Sequence, residues 1–424
     1  MKTRNSLVST FATAAFLAGA ALTTHAQTWV TVSAIPNAVS GDVGADASGN
    51  VFAVGRQIAP DGSSVAIVQA ASGNPGSTWE LLDTYFEANR SYSYHRAVAA
   101  NPGVPGHLFA GGNLNNLLSN GTYEFDTLWI IRERNPVTST WSTAEDYSAL
   151  VNDVGQSSCA DILVTPTGDV YATGGGQLGT GLGWLVRKRP VGASAFTTAD
   201  VDYTGQSAGS GLDMAFHPDL GVIVVGYTNN VWTVRHSTTG TLGSWQTLDA
   251  FQTRNRRGWE WTSSTANGVA VSQSTNIFVA GSAWNAGTGK YHWVVRHSTD
   301  RGATWAISDN VVPIGGRAEA FGIAHDAQGR IYVCGRSDKG DGYHWIVRRG
   351  QQVQKTTTVK GKKVTTLVWE WTQIDDYQLE SGMNSRANAI TVDATGNIFV
   401  GGSRLGADGF QHFVVRRLAA LPAQ

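Results

Sequence analysis

Three aspartates, Asp42, Asp161 and Asp213, recur at one position of a repeating pattern that runs through this sequence. Carboxyl groups brought close together cannot all ionise at the same pH, because each charge opposes the next. Such sets do acid–base or nucleophilic work on a glycosidic bond, or ligate Ca²⁺. In a purely structural role they accept from exposed amides around a water-filled channel. A second set is Tyr92, Tyr94, His95 and Arg96. It suits β-elimination on a uronate sugar, with Arg96 neutralising the carboxylate and His95 or a tyrosine taking the α-proton. The third is R-N-R-R-G-W-E-W at 254–261. Arg254, Arg256 and Arg257 offer forks for carboxylate, sulfate or phosphate, and Trp259 and Trp261 offer flat faces for a sugar ring or a neighbour. Glu319 and Arg386 occupy one further repeat position, shared with Val39, Ser158, Ser210, Thr265 and, on this spacing, Arg96. The candidate catalytic groups are therefore Asp42, Asp161, Asp213 and His95. The candidate ligand-binding groups are Arg96, Arg254, Arg256, Arg257, Trp259, Trp261, Glu319 and Arg386. The sequence implies no cofactor other than Ca²⁺ at the carboxylates.

The elements that must position these groups are legible from a glycine. Gly55, Gly112, Gly174, Gly226, Gly281, Gly335 and Gly402 each close a short apolar run, at intervals of 57, 62, 52, 55, 54 and 67 residues. Around each glycine lie four strand-like segments. The first is rich in small residues, as in A-N-A-I-T-V-D at 387–393. The second reads G-N-V-F-A-V-G at 49–55. The third reads W-I-I-R at 129–132, W-L-V-R at 184–187 and F-V-V-R at 413–416, and the fourth opens T-W at 78–79, 140–141 and 304–305. Seven four-stranded units of this length predict an all-β, seven-bladed propeller. The seventh unit stops after its third strand, and the missing T-W strand stands at Thr28–Ile35. The N-terminal strand is thus expected to complete the last blade and close the ring. Counting back from each glycine places Val39, Arg96, Ser158, Ser210, Thr265, Glu319 and Arg386 on one rim. Three residues further in, it places Asp42, Ala99, Asp161, Asp213, Gly268, Gly322 and Ala389 at one level of the central channel. The third-strand arginines (132, 187, 235, 296, 348, 416) keep strict blade periodicity, which predicts a repeated structural task. That task is expected to be pairing with blade-edge Asp and stacking on Trp. Residues 349–368, rich in Thr, Val and Lys, predict an extended hairpin in blade six, offering either a solvated ribbon or a basic contact for an acidic partner.

Two resemblances follow from these motifs. S-T-D-R-G-A-T-W at 298–305 resembles the Asp-box, the bacterial neuraminidase repeat of sialidases and several other propellers. That resemblance implies a hairpin stabilised by Ser298 and Asp300 at the blade periphery, away from any active site. D-x-x-G-N-I-F-V-x-G at 393–402 resembles the repeats of bacterial seven-bladed propellers found in secreted and surface proteins. A sialidase would also carry an R-I-P motif, which this sequence lacks.

Composition agrees with many short strands: among 424 residues there are 50 glycines and 15 tryptophans, and 15% are charged. Lys2 and Arg4, an apolar run to Leu22 and the T-H-A context predict a signal peptide over 1–26, cleaved after Ala26. The propeller would then span 27–418 and a short tail 419–424, in a secreted or periplasmic protein. After cleavage 29 basic residues face 32 acidic ones, which argues against nucleic acid as a partner; no membrane insertion is expected, and a monomer is. Cys159 and Cys334 fall in different blades and read as buried small residues, not a disulfide. The functional expectation is a recognition or scaffold module that binds a glycan or other polyanion on one rim. The alternative is a polysaccharide-active lyase or glycoside hydrolase with its site at the central channel.

Overall fold

The computed structural model describes residues 28–421 apart from 73, 75, 88–89, 91, 116–126, 148–156, 179–180, 203–207, 256–257, 273–275, 360–361 and 379. At 177–178, 181–182, 253–255, 258–261 and 359 the description is confined to the backbone. The expected signal peptide lies outside the described residues.

The described chain is built of antiparallel four-stranded units. Blade one is Ala38–Ala45, Asn50–Ile58, Ser64–Ser72 and Glu80–Tyr85, each strand beside its predecessor. Blades two to six repeat this order from the inner strands Tyr92–Ala100, Ser157–Val164, Gly209–His217, Gly258–Ser272 and Ala318–His325. A single parallel bridge between Ser64 and Tyr92 joins blades one and two into one hydrogen-bonded sheet. Blade seven takes Ser385–Val392, Ile398–Leu405 and Gln411–Leu418 from the C-terminal end, and its outer strand is Val30–Pro36. The pairing runs from Val30 opposite Arg417 to Pro36 opposite His412, so the N-terminal strand closes the ring as the repeat count requires. Trp29 reinforces this closure by donating its indole N–H to the Ile374 carbonyl of blade six at 2.8 Å. Inner strands pack against one another in sequence, and the seventh returns to the first. This is a seven-bladed propeller.

The third-strand motif explains how blades stack. Side chains three apart on a strand point to opposite faces, so the aromatic and the arginine of W-x-x-R reach different neighbours. Trp129, Trp184, Trp232, Trp293, Trp345 and Phe413 are fully buried. Each lays its ring against the second-strand glycine of the following blade: Gly174, Gly226, Gly281, Gly335, Gly402 and Gly55. A Cβ on any of these glycines would strike that ring and the carbonyl of the inner strand beside it. The repeated glycine is thus a packing requirement set by the preceding blade.

The arginine turns the other way. Arg187 meets Glu145 at 2.6 Å, Arg235 meets Asp200 at 2.8 Å, Arg296 meets Asp249 at 2.8 Å, Arg348 meets Asp309 at 2.6 Å and Arg416 meets Asp375 at 2.5 Å. Arg132 lies 3.7 Å from Asp83. Every acid belongs to the fourth strand of the preceding blade. Tyr85, Tyr147, Phe251 and Tyr377 lie under the guanidiniums of Arg132, Arg187, Arg296 and Arg416. At the closing seam the same two positions hold Gln69 and Ser33, joined by a neutral hydrogen bond of 3.1 Å.

Turns follow their local chemistry. In the hairpin after Arg296, Asp300 accepts from the Thr304 amide at 2.8 Å and from its hydroxyl at 2.6 Å, and the Ser298 hydroxyl accepts from the Gly302 amide. These bonds, led by that from the Thr304 hydroxyl, hold the Asp300 carboxyl down at about 2. Strands Tyr343–Val359 and Lys362–Tyr377 of blade six pair continuously from Trp345 opposite Tyr377 to Val359 opposite Lys362. Their distal part stands in solvent on both faces. Cys159 and Cys334 are buried free thiols.

Candidate functional site

Each of the seven inner strands carries one extra residue relative to its partner, a bulge that redirects one side chain. The bulged residues are Gly41, Arg96, Ala160, Leu212, Asn267, Phe321 and Asn388. All seven line one cavity of about 800 Å³ in the central channel. Asp42, Asp161, Asp213 and Arg386 line it too, with Tyr94, Arg336 and Tyr343.

Blade two corrects the expected register. There the turn between its first two strands spans Asn101–His107, two residues longer than Thr165–Asp169 in blade three. Backward counting therefore shifts by two. Tyr94, not Arg96, shares the position of Glu319 and Arg386, and Ala97, not Ala99, shares that of Asp42. Arg96 enters the cavity instead as the bulged residue. The bulges leave no signature in the alternation of apolar and polar residues, which is why counting alone misses them.

The carboxylates converge on the channel wall but differ in their commitments. Asp42 accepts from its own neighbour Val43 at 2.7 Å and from the Val98 amide of blade two at 3.0 Å. Asp213 accepts from Met214 at 2.9 Å and from Val269 of blade five at 2.7 Å. Both thus clamp one inner strand to the next. Channel water reaches them, yet protein surrounds them, and this enclosure raises the Asp42 carboxyl to about 7 and that of Asp213 to about 6. Among the described residues Asp161 accepts from no blade-four amide; its carboxyl lies beside that of Asp213 in the cavity. Burial first, and then the charges of Asp213 and Asp42, push Asp161 well above the usual carboxylate range.

Blades two, six and seven bring cationic and aromatic groups to the same cavity. Arg386 stacks on Phe321 with its guanidinium carbon 3.9 Å from the ring centre. Among the described residues no carboxylate or hydrogen-bond acceptor engages it. The guanidinium is open to solvent, but the protein around it, followed by the nearby charge of Arg336, pushes its pKa below the ordinary guanidinium value. Arg96 donates through Nε to Asn113 at 3.2 Å and lies 5.3 Å from the Tyr94 ring, leaving its terminal nitrogens toward the channel. Tyr94 is fixed by its hydroxyl, which donates to the Ser40 carbonyl at 2.7 Å. Arg336 is already neutralised by Glu319, with Nε 2.7 Å from Oε2, and it stacks on Tyr343. Glu319 also accepts from Arg317 at 3.1 Å.

His95 is fully buried and does not line the cavity; it stacks on Tyr85, with ring centres 6.4 Å apart. Burial, and then Arg132, depress its pKa to about 3. Arg256 and Arg257 lie outside the described residues, and only the backbone is described for Arg254, Trp259 and Trp261. Thr253–Asn255 pairs with the start of the blade-five inner strand. Sequence reasoning missed Arg336, Phe321 and Tyr343. Gly335-Arg336 repeats Gly55-Arg56, and that recurrence was the available signal.

Fold and site together define a seven-bladed propeller whose channel carries arginines and aromatic rings from blades two, six and seven and raised carboxyls from blades one, three and four. No family model matches the sequence, and no curated protein is similar to it. Among solved structures, the chain is similar to Sqt1 from Chaetomium thermophilum, at 10% identity and a TM-score of 0.46, over 91% of this chain and 98% of that one. It is similar to the Penicillium chrysogenum alpha-L-arabinanase complexed with arabinobiose, at 11% identity and 0.43, over 76% and 91%. It is also similar to the Trypanosoma rangeli sialidase in complex with sialic acid, at 10% and 0.44, over 92% of this chain and 54% of that one.

Proposed function

We propose that this protein is a secreted recognition module that binds an acidic glycan at the mouth of its channel. A carboxylate or sulfate of the ligand is held by Arg386 and Arg96. The observation that carries the reading is Arg386: a guanidinium open to the channel, stacked on Phe321 and with no hydrogen-bonded acid among the described residues. Its planar fork of N–H donors faces the channel without a protein acceptor among those residues and matches a carboxylate or sulfate in a two-point hold. Aromatic faces at Tyr94 and Tyr343 suit a sugar ring beside the anion. The Arg254, Arg256, Arg257, Trp259 and Trp261 loop extends the same reading to a longer chain of sugars.

The raised carboxyls in the cavity favour a second reading, hydrolysis or elimination on a polysaccharide. Against it stands the direct contact of Asp161 with Asp213. A retaining glycosidase needs its two carboxyls about 5 Å apart and an inverting one needs more. Asp42 and Asp213 are also occupied as strand clamps. The test is a panel of acidic and neutral oligosaccharides assayed for binding, new reducing ends and unsaturated-uronate absorbance. Binding of acidic members without product supports recognition. Product that disappears in Asp161→Asn would replace it with catalysis.

A further inference from the structure

The Asp161–Asp213 contact crosses the boundary between blades three and four. Two carboxyl groups side by side in one cavity cannot both ionise at the same pH, so one of them holds its proton to higher pH. The pair shares its cavity with Arg96 and Arg386, so its charge state sets the field in which an anion must bind. We propose that the Asp161–Asp213 pair holds a proton inside the channel and that anion binding at Arg96 and Arg386 is linked to it. The site then takes its anion more tightly in acidic than in alkaline medium. This rests on the anion-binding reading above and adds its regulation.

The surroundings of the pair support the direction. Blade one presents Asp42, a third carboxyl of the same sign. Blade two presents Arg96 and Tyr94, and blade three adds the buried Cys159 thiol beside Asp161. Blade five contributes only the neutral Asn267, whose amide donates to the Ala320 carbonyl at 2.7 Å. Blade six presents Arg336, already balanced by Glu319, and blade seven presents Arg386. The charges free to respond are thus the arginines at the mouth and the carboxyls on the wall. With the carboxyls protonated, the cavity is net positive. Ionisation as pH rises places negative charge beside the bound anion and weakens it. By reciprocity, an anion on the arginines favours the protonated pair.

Sulfate is the probe, since its charge does not change between about pH 5 and about pH 8. Its binding to the full mature chain is measured by calorimetry across that window at constant ionic strength, in two buffers of different ionisation heat. The expected result is an affinity that falls about tenfold from acid to alkaline, with proton uptake on binding near neutrality. The isosteric Asp161→Asn, whose amide can donate to Asp213 without a proton, should flatten that dependence while keeping the requirement for Arg386. The wild-type proton count decides the matter even if that variant folds poorly. Sulfate binding that needs Arg386 but neither varies with pH nor exchanges a proton would overturn the linkage and leave anion recognition standing. No sulfate binding at either end would overturn both.

Discussion

At the scale of the residue, the channel acids are costly groups held for their contacts. Enclosure raises Asp42, Asp161 and Asp213, so the folded protein binds protons that the unfolded chain releases near pH 4. The stability they contribute is complete below that value and is lost as pH rises through about 6 to 7. The Tm should therefore fall between mildly acidic and mildly alkaline buffer. Asp161→Asn should remove part of the slope and raise the Tm at alkaline pH by a few degrees, read by differential scanning calorimetry. A Tm that rises through this window would show that these carboxyls are stabilised as anions.

At the scale of the element, the strand motif does two jobs with one spacing. Trp and Arg three apart face opposite blades, so each third strand locks to the blade before it and the blade after it. Six arginine–acid pairs staple consecutive blades, and the closing seam has Ser33 and Gln69 where the seventh would stand. Ser33→Asp combined with Gln69→Arg should supply that pair and slow unfolding, because the seam is where the two chain ends meet. Stopped-flow unfolding in denaturant reads this, and each single substitution alone should destabilise by about 1–3 kcal/mol by leaving a charge unpaired. The strands, the glycines and the task of the arginines were legible in the sequence, since periodicity records a demand that every blade makes alike. The partner acids were less so: Glu145, Asp200 and Asp375 make the shortest contacts with the arginines, yet Asp146, Asp202 and Asp376 look equally suitable in the sequence, and Asp202 itself lies 3.4 Å from Arg235. A bulge in each fourth strand, opposite the arginine, decides which one faces inward.

At the scale of the whole molecule, the ring brings together residues from every blade that the sequence separates by hundreds of positions. Three carboxylates sharing one level and the rim position of Arg386 were readable by alignment; the places of Arg96, Phe321 and Tyr94 were not, because of the bulges and one longer turn. Val30–Pro36 joins the two ends of the chain in one blade. A chain beginning at Asn37 should lose its single cooperative melting transition, and retention of the wild-type transition would contradict the role given to that strand. The central claim is that the channel mouth is an anion site built on Arg386. It is tested most directly by equilibrium titration of the mature protein with a uronate-terminated oligosaccharide, wild type beside Arg386→Gln, at mildly acidic pH. One oligosaccharide should bind per chain, and the substitution should weaken binding about tenfold or more, as loss of a charged hydrogen-bonding partner requires. Equal affinity of the two proteins for the acidic ligand, or equal binding of its neutral counterpart, would contradict the account.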